Sequence, residues 1–232
     1  ILVSDIFPQK CIKMNKSVVF DLDGTLLNTL LDLADSTNYA LRSFGFRERS
    51  PEEIRKFVGN GAKLLIERCI PEQQDSVKEE VLAVFKKHYA KNMTNKTRPY
   101  DGILEMLSSL KDRGYMLGIV SNKFDLAVKG LADIYFKDVV DEAVGENERA
   151  GIRKKPAPDS VNKTISLLHS DCEHCVYVGD SDVDVKTAHN AHIKCIGVTW
   201  GFRDEKILTD AGADYIANDA KELYDIIKEI LE

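Results

Sequence analysis

Two aspartates follow a short apolar stretch near the start of the sequence. Ser17-Val-Val-Phe20 leads directly into Asp21-Leu-Asp23-Gly24. If the apolar stretch is a strand, residues i and i+2 project to the same side, so Asp21 and Asp23 lie together, and Gly24 permits a sharp exit from the strand. Two neighbouring carboxylates repel each other, so their presence calls for an explanation. They could have a structural role or a catalytic one.

A Ca²⁺ loop and a helix-capping turn are the structural alternatives for this motif. Counted from Asp21, the sixth position of a Ca²⁺ loop is Leu26 where that loop needs glycine, and the twelfth is Asp32 where it needs glutamate. The sequence therefore disfavours a Ca²⁺ loop, whereas the capping turn stays open on this motif alone.

A second apolar stretch also ends in acids. Cys175–Val178 is followed by Gly179-Asp180-Ser-Asp-Val-Asp184. Ligands of open parallel sheets bind beyond the carboxyl ends of strands, so Asp180 faces Asp21 and Asp23 if the two strands are neighbours. Carboxylates ~4 Å apart repel each other by about 4 kcal/mol at an effective dielectric near 20, so a positive partner is needed. Oxygen ligands with room for water and phosphate favour Mg²⁺ over a caged Ca²⁺.

Two further segments offer groups that bind phosphate. Ser121-Asn122-Lys123 follows the apolar stretch Leu117–Val120 and provides a hydroxyl and backbone amides at the expected start of the next helix. Lys154-Lys155-Pro156 places ammonium groups on a loop that proline stiffens. Taken alone, Ser121 is typical of a helix N-cap and Lys155 of a solvated surface charge.

The order of these four segments resembles the four motifs of the haloacid dehalogenase superfamily. They are Asp-x-Asp-Gly-Thr, Ser-Asn-Lys, Lys-Pro-x-Pro and Gly-Asp-Ser-x-x-Asp, and the resemblance covers nearly the whole chain after Met14. Trp200-Gly-Phe202 and Gly59-Asn60-Gly61 are similar to the phosphoglycolate phosphatase branch. Many members carry a helical cap domain between the first and second motifs. The resemblance therefore implies an α/β core with an inserted helical cap.

The resemblance also implies a role for each motif acid. Asp21 is the expected nucleophile and a Mg²⁺ ligand. Asp23 is the expected general acid and base, and it offers its backbone carbonyl to the metal. Asp180 is expected to bind Mg²⁺, and Asp184 is expected to support the metal shell.

The remaining motif residues are expected to bind the substrate. Ser121 and Lys155 would hold phosphate oxygens, and Asn122 would contribute its amide. The implied reaction is hydrolysis of a small phosphomonoester such as 2-phosphoglycolate through an aspartyl-phosphate on Asp21. Dehalogenases that attack carbon lack the second acid, so Asp23 favours phosphoryl transfer. Pyrophosphatase or sugar phosphomutase activity stays open.

A non-catalytic regulatory or binding protein on the same fold is the alternative from another class. The complete set of acids with Lys155 speaks against it, because inactive relatives are expected to lose Asp21 or Asp23. Asn28-Thr29 stands where many relatives have Asp-Ser or Asp-Thr, and we expect these two residues to touch no catalytic group.

The elements that must position these residues follow an alternating pattern. Short apolar runs predict buried strands at 17–20, 115–120, 137–140, 175–178, 194–198 and 214–217. Segments of helical period lie between them, near 103–113, 126–135, 158–169, 182–191, 204–211 and 220–231. Strands alternating with helices predict a doubly wound, Rossmann-like parallel sheet of the α/β class.

One stretch breaks this alternation. Residues 29–98 have only helical patterning, and Pro99 disfavours helix at Arg98. We therefore predict a core of residues 14–28 and 99–232, a helical cap of residues 29–98, and a possible N-terminal extension of residues 1–13. Within the cap, the Gly59–Gly61 loop with Lys63 or Arg68 is the candidate for substrate selection.

The amino-acid composition restricts the kinds of molecule that the protein is expected to bind. With 32 Lys+Arg and 38 Asp+Glu, the formal charge of −6 lacks the basic footprint of a nucleic-acid or anionic-membrane binder. Five scattered cysteines and the absence of a signal-like apolar run predict reduced thiols and a cytoplasmic protein. The expected partner is a small phosphorylated metabolite, with no nucleic acid and no membrane, and the protein is expected to be a monomer or homodimer.

Overall fold

A six-stranded parallel sheet forms the centre of the molecule in the computed structural model, which describes residues 14–148 and 151–232. The predicted extension at residues 1–13 lies outside the described residues. The sheet order is β5-β4-β1-β6-β7-β8, and every strand pairs with its neighbours in parallel. The strands are β1 (Ser17–Phe20), β4 (Met116–Phe124), β5 (Glu142–Glu146), β6 (Cys175–Gly179), β7 (Lys194–Val198) and β8 (Tyr215–Ala217).

Helices cover both faces of this sheet. They are α5 (Ile103–Asp112), α6 (Asp125–Tyr135), α7 (Asp159–Leu167), α8 (Asp182–Asn190), α9 (Glu205–Asp210) and α10 (Ala220–Leu231). One apolar cluster joins α5, α6 and α10 to the sheet, and another joins α7, α8 and α9 to the opposite face. Within β1, Val18 and Phe20 belong to the first cluster and Val19 to the second, as expected for a strand buried on both sides. The predicted doubly wound α/β fold is confirmed.

The remaining helices lie in one continuous part of the chain. They are α1 (Leu30–Ser43), α2 (Pro51–Phe57), α3 (Ala62–Cys69) and α4 (Lys78–Asn92), with a 3₁₀ segment at Glu72–Val77. They share an apolar cluster of their own, centred on buried side chains such as Leu41, Ile66 and Phe85. Where the chain leaves and re-enters the sheet domain, two short antiparallel strands pair, β2 (Leu27–Asn28) and β3 (Arg98–Pro99). The predicted boundaries at 28/29 and 98/99 fall at these strands, and we propose that α1–α4 form the cap.

One predicted strand is wrong. Residues 137–140 form a turn after α6, in which the amides of Val139 and Val140 both donate to the Phe136 carbonyl. The strand begins later, at Glu142. The Asp141 carboxylate lies between them and accepts from the Leu117 amide at 2.8 Å. An edge strand that is only partly buried carries a weak apolar signal, and the two valines of the turn carried a stronger one.

None of the described helices combines the length and the apolarity that crossing a membrane requires.

Candidate active site

The three central strands bring the sequence motifs to one edge of the sheet. β1 pairs with β4 on one side and with β6 on the other, an adjacency that the sequence left open. Asp21 follows β1 and its amide donates to the Val178 carbonyl at 2.8 Å. Asp180 follows β6, and Ser121 lies in the second half of β4. The four motifs therefore meet at the carboxyl ends of neighbouring parallel strands.

Three buried carboxylates form the acidic part of the site. Oxygens of Asp21, Asp180 and Asp184 all lie within 4.8 Å of one another. Burial raises the pKa of Asp21 to about 7, with Asp184 and Asp23 adding to the shift and the Lys155 ammonium opposing it. Burial also raises the pKa of Asp180 well above its usual value, and Asp184 and Asp21 reinforce that shift. The cluster is short of positive charge, as the repulsion argument predicts.

Helix capping places Asp184 in this cluster. Ser181 is the N-cap of α8, and its hydroxyl accepts from the Asp184 amide while the Asp184 carboxylate accepts from the Ser181 amide at 3.1 Å. The reciprocal pair is a capping box, which fixes the acid at the third helical position. The other oxygen, Oδ1, stays available and accepts from Lys155 at 2.7 Å and from the Tyr177 hydroxyl at 3.0 Å. The Ser-x-x-Asp spacing therefore both caps α8 and positions Asp184 in the site.

Lys155 is the cation at the centre of the acids. Its Nζ donates to Asp21 Oδ1 at 2.6 Å and to Asp184 Oδ1 at 2.7 Å, and it lies 3.0 Å from the Tyr177 hydroxyl. The side chain is 3% exposed, which rules out the surface-charge alternative. Its pKa is raised well above the usual value because Asp184 and Asp21 outweigh the effect of burial.

Asp23 is not one of these three acids but lines the same cavity, and its carboxylate is held by two groups that the sequence analysis missed. Both of its carboxylate oxygens accept from Lys123 Nζ at 2.8 Å, and the Thr29 hydroxyl donates to Oδ1 at 2.6 Å. The expectation that Asn28-Thr29 touches no catalytic group is therefore wrong for Thr29. A turn after Gly24 returns the chain beside the motif, and nothing in the linear spacing signals that return.

Ser121 and Asn122 lie within β4, which continues to Phe124, so the expectation that they lie at a helix start is wrong. Helix α6 begins at Asp125, within one residue of the segment predicted near 126–135. The Asn122 side chain ties three segments together: its Nδ2 donates to the carbonyls of Gly59 and Lys155, both at 3.1 Å, and its Oδ1 accepts from the Lys155 amide at 2.8 Å. The Ser121 hydroxyl lines the cavity beside Asp21.

Glycines allow the acids to approach the backbone. A Cβ on Gly24 would lie 2.3 Å from Asp180 Oδ2, and the φ of +94° at this residue disfavours any other side chain. A Cβ on Gly201 would lie 2.3 Å from the Cβ of Asp180. Next to Gly201, the Phe202 amide donates to Asp180 Oδ2 at 2.6 Å. The Gly-Phe part of the Trp-Gly-Phe segment therefore belongs to the site.

Helices α1, α3 and α4 close the site from above. The cavity between them and the sheet is small, about 50 Å³, and its upper walls are apolar, formed by Leu33, Val58, Leu65, Phe85, Tyr89 and Phe202. Gly59 and Gly61 also line the cavity, so the loop that we expect to select the substrate lies beside it. Lys63 instead pairs with Glu79, and Arg68 donates to the Phe57 carbonyl, so neither side chain lines the cavity.

Two arginines hold α2 against the loop that follows β7. Arg55 donates to the carbonyls of Phe202, at 2.8 Å, and Gly201, at 3.2 Å. In the opposite direction, Arg203 donates to the carbonyls of Arg55 and Val58, each at 2.7 Å. Phe202, between them, is buried in the apolar cluster of α1–α4. Each side of this contact therefore donates to backbone carbonyls of the other side.

The donor set fits a hard divalent cation. Asp21 and Asp180 offer carboxylate oxygens, and Asp184 lies within reach of the same point. All three are oxygen ligands, which Mg²⁺ prefers, and few enough to leave positions for water and phosphate. Burial and the repulsion between the carboxylates raise the pKa values of Asp21 and Asp180, and a bound divalent cation would oppose both effects.

Comparisons with known proteins agree with this geometry. A family model described as haloacid dehalogenase-like hydrolase matches residues 18–198. The phosphoglycolate phosphatase of Aquifex aeolicus is 35% identical over 191 residues, covering 80% of this chain and 85% of the relative. The phosphoglycolate phosphatase of Mannheimia succiniciproducens is 32% identical over 228 residues, covering 91% and 98%.

Solved structures give the same result. A crystal structure of a candidate phosphoglycolate phosphatase from Lactobacillus delbrueckii subsp. bulgaricus superposes with a TM-score of 0.86 at 35% identity. The match covers 93% of this chain and 99% of that protein, so core and capping helices are both included.

Proposed function

We propose that this chain, which belongs to the haloacid dehalogenase-like hydrolase family and is a phosphatase, is a Mg²⁺-dependent enzyme that hydrolyses 2-phosphoglycolate or a similar small phosphomonoester. We propose further that the reaction passes through an aspartyl-phosphate on Asp21. The main support for this function is that one small cavity is lined by Asp21, Asp23, Asp180 and Lys155.

Asp21 is the group best placed to attack phosphorus. Its carboxylate lies at the end of β1, buried at the floor of the cavity, and Lys155 contacts one oxygen at 2.6 Å. The ammonium opposes the rise in the pKa of Asp21 and so favours the anionic, nucleophilic form, and it can also neutralise a phosphoryl oxygen bound beside it. A carboxylate nucleophile divides a difficult hydrolysis into two easier steps.

Asp21 and Asp180 would hold Mg²⁺, with the Asp23 carbonyl as a further ligand and Asp184 supporting the shell. When bound, the ion would neutralise charge on the phosphoryl oxygens and on the carboxylate cluster. The Phe202 amide, 2.6 Å from Asp180 Oδ2, orients that ligand.

Asp23 is proposed as the general acid and base. It would protonate the leaving oxygen in the first step and deprotonate water in the second. Its carboxylate lines the cavity beside Asp21 and is oriented by Lys123 and Thr29. The Ser121 hydroxyl and the backbone amide of Asn122 would complete the phosphate site from β4.

Phosphate release from a panel of esters, with and without Mg²⁺, tests the proposal. We expect 2-phosphoglycolate to have the highest kcat/KM, ahead of pyrophosphate, sugar phosphates and nucleoside monophosphates. If another class exceeds it by about tenfold or more, equivalent to about 1.4 kcal/mol in the barrier, the substrate assignment is wrong and the phosphatase assignment stands. Turnover that is undiminished by chelation would contradict Mg²⁺ dependence.

A further inference from the structure

Lys123 is a buried cation whose only role in the proposed reaction is to orient Asp23. Its Nζ lies 2.8 Å from both oxygens of Asp23, and its side chain is 4% exposed. An ammonium has three donors, and Asp23 takes two of them. Among residues 14–148 and 151–232, no second carboxylate lies within ion-pair distance of Lys123. Lys123 therefore lines the cavity with one donor that Asp23 does not use.

Tyr89 supplies a second polar group at the same place. It comes from α4, lies against Lys123 with the ammonium 4.5 Å from its ring centroid, and is fully buried. Its hydroxyl has no hydrogen-bond partner in the described part of the chain. Burial raises the pKa of Tyr89 to about 12, so the hydroxyl keeps its proton and can donate. Buried hydroxyls without a partner are uncommon, and this one lines the cavity.

The remaining walls on this side offer little to an anion. Leu33, Phe85 and Phe124 are apolar, and the Arg203 guanidinium is occupied by carbonyls of the capping helices. The whole cavity measures about 50 Å³ and holds only roughly three to five waters, which favours a small substrate.

Position fixes which part of a substrate would reach these groups. Asp23 is proposed to protonate the leaving oxygen, at a donor to acceptor distance of about 3 Å. Lys123 contacts Asp23 and lines the same cavity, so a group attached close to the ester oxygen is the part of a substrate that would come nearest to it. A carboxylate on the carbon next to the ester oxygen is therefore the anion best placed to reach Lys123.

We propose that Lys123 and Tyr89 form the subsite that binds the carboxylate of a short acidic leaving group and so determines specificity for phosphorylated hydroxy acids. The inference rests on the proposed function, because it assigns residues to the leaving group of that reaction. It gives Lys123 and α4 a role in choosing the substrate that is separate from phosphoryl transfer.

The test compares 2-phosphoglycolate with 2-hydroxyethyl phosphate, an ester whose leaving group is neutral and similar in size to glycolate. In wild-type enzyme, kcat/KM should favour the acid by at least about tenfold, the value of one hydrogen bond to a charged group. Lys123→Met should reduce this preference by about tenfold or more, whereas the matched control Lys129→Met, an exposed lysine paired with Asp125, should keep it. Equal losses for both esters in Lys123→Met would overturn the subsite and leave Lys123 as a residue that only positions Asp23.

Tyr89→Phe gives an independent test, because it removes only a hydroxyl without a protein partner and should not impair folding. We expect it to weaken use of the acidic ester by about threefold to tenfold and to leave the neutral ester unchanged. If Tyr89→Phe used both esters with wild-type kinetics, Tyr89 would not belong to the subsite and the two-residue subsite would be wrong.

Binding separates this inference from the proposed function. In an Asp21→Asn background, calorimetry of the two esters should show tighter binding of 2-phosphoglycolate, and adding Lys123→Met should abolish the difference. If the acid binds selectively but wild-type enzyme hydrolyses neither ester, the proposed function fails and the subsite stands. If both esters bind alike, the subsite fails whatever the turnover.

Discussion

The Lys155 ammonium lies 2.6 Å from Asp21 Oδ1, although 134 residues separate the two in the chain. Both side chains are buried, and such a pair contributes little net stability because desolvation offsets the attraction. A chain that buries this pair at the end of its central strand therefore has a functional reason to do so. The nucleophile and the cation that would neutralise its phosphorylated form lie in contact before any substrate binds.

Asp21→Asn should abolish phosphate release from an aryl phosphate in the presence of Mg²⁺. An amide is a poor nucleophile and a poor metal ligand, so a loss of at least about 10³-fold is expected. Asp182→Asn is the matched control, because Asp182 lies near the site in sequence but pairs on the surface with Lys186. Residual activity in Asp21→Asn close to that of the control would end the nucleophile assignment.

Lys155→Ala should reduce kcat by about 10²-fold to 10³-fold, the usual effect of removing one fixed charge that faces the transferred group. The adjacent Lys154, which pairs with Glu148, provides the control, and Lys154→Ala should stay within about threefold of wild type. Steady-state kinetics with a folding check by circular dichroism measures both. A change of less than about tenfold in Lys155→Ala would mean that this lysine is structural.

The sequence predicted the acids of the site because each follows an apolar strand whose pattern is strong. It also placed the helices around the sheet correctly, since their period of 3.6 residues is visible wherever one face is buried. The strand at 142–146 was missed because it lies at the sheet edge and is only partly buried. Local pattern is therefore informative where burial is complete and weak where it is partial.

Contacts between distant segments could not be predicted. The pairing of Lys123 with Asp23 requires β4 beside β1, and sheet order is not encoded in any single segment. Thr29 is only six residues from Asp23 in the chain, but it reaches that side chain through a turn whose return path depends on tertiary packing. The reciprocal arginine contacts involve backbone carbonyls, which carry no residue signature at all.

Gly24→Ala should lower both stability and metal affinity. The φ of +94° costs a non-glycine residue about 1–2 kcal/mol, and the new methyl would collide with Asp180 Oδ2. Gly45→Ala is the control, since its φ of +73° imposes similar strain with no atom within 4 Å of the added Cβ. Chemical denaturation should show a larger loss in Gly24→Ala, and only this variant should need more Mg²⁺ for activity. Equal behaviour of the two variants would show that Gly24 is required for its backbone angle alone.

Without Mg²⁺, stability should fall as pH rises through neutrality. The pKa of Asp21 is raised to about 7 and that of Asp180 is also raised, so the folded state takes up protons. This contribution is fully present below the ordinary carboxyl pKa of 3.8 and is lost as pH rises through about 7. Protons therefore compete with the metal for these carboxyls.

The measurement is the increase in Tm that Mg²⁺ produces at two pH values. We expect an increase on the order of 5 °C at pH ~8 with saturating metal, and a smaller one at pH ~5.5. Asp180→Asn should remove most of the increase, whereas Asp182→Asn should keep it. An increase that does not depend on pH would contradict the protonation argument.

Arg203→Ala and Arg55→Ala should loosen the capping helices. Each arginine donates to two carbonyls on the other side of the cavity, so either substitution leaves buried carbonyls without donors. We expect KM to rise by about tenfold with a smaller change in kcat, because closure contributes to substrate binding before chemistry. The double variant should lose little more than either single one, since both arginines stabilise the same contact.

Arg47→Ala is the control for these variants, because Arg47 pairs on the surface with Glu53 and does not cross the cavity. Hydrogen exchange supplies a readout that does not depend on activity. Amides of the Gly59–Ala62 segment, which lines the cavity, should exchange faster in Arg203→Ala and at the wild-type rate in Arg47→Ala. Because Phe202 joins these arginines to Asp180 through its amide, loosening the contact should also weaken Mg²⁺ binding in a thermal-shift titration. Unchanged metal affinity together with faster exchange would mean that closure and the metal ligands are independent.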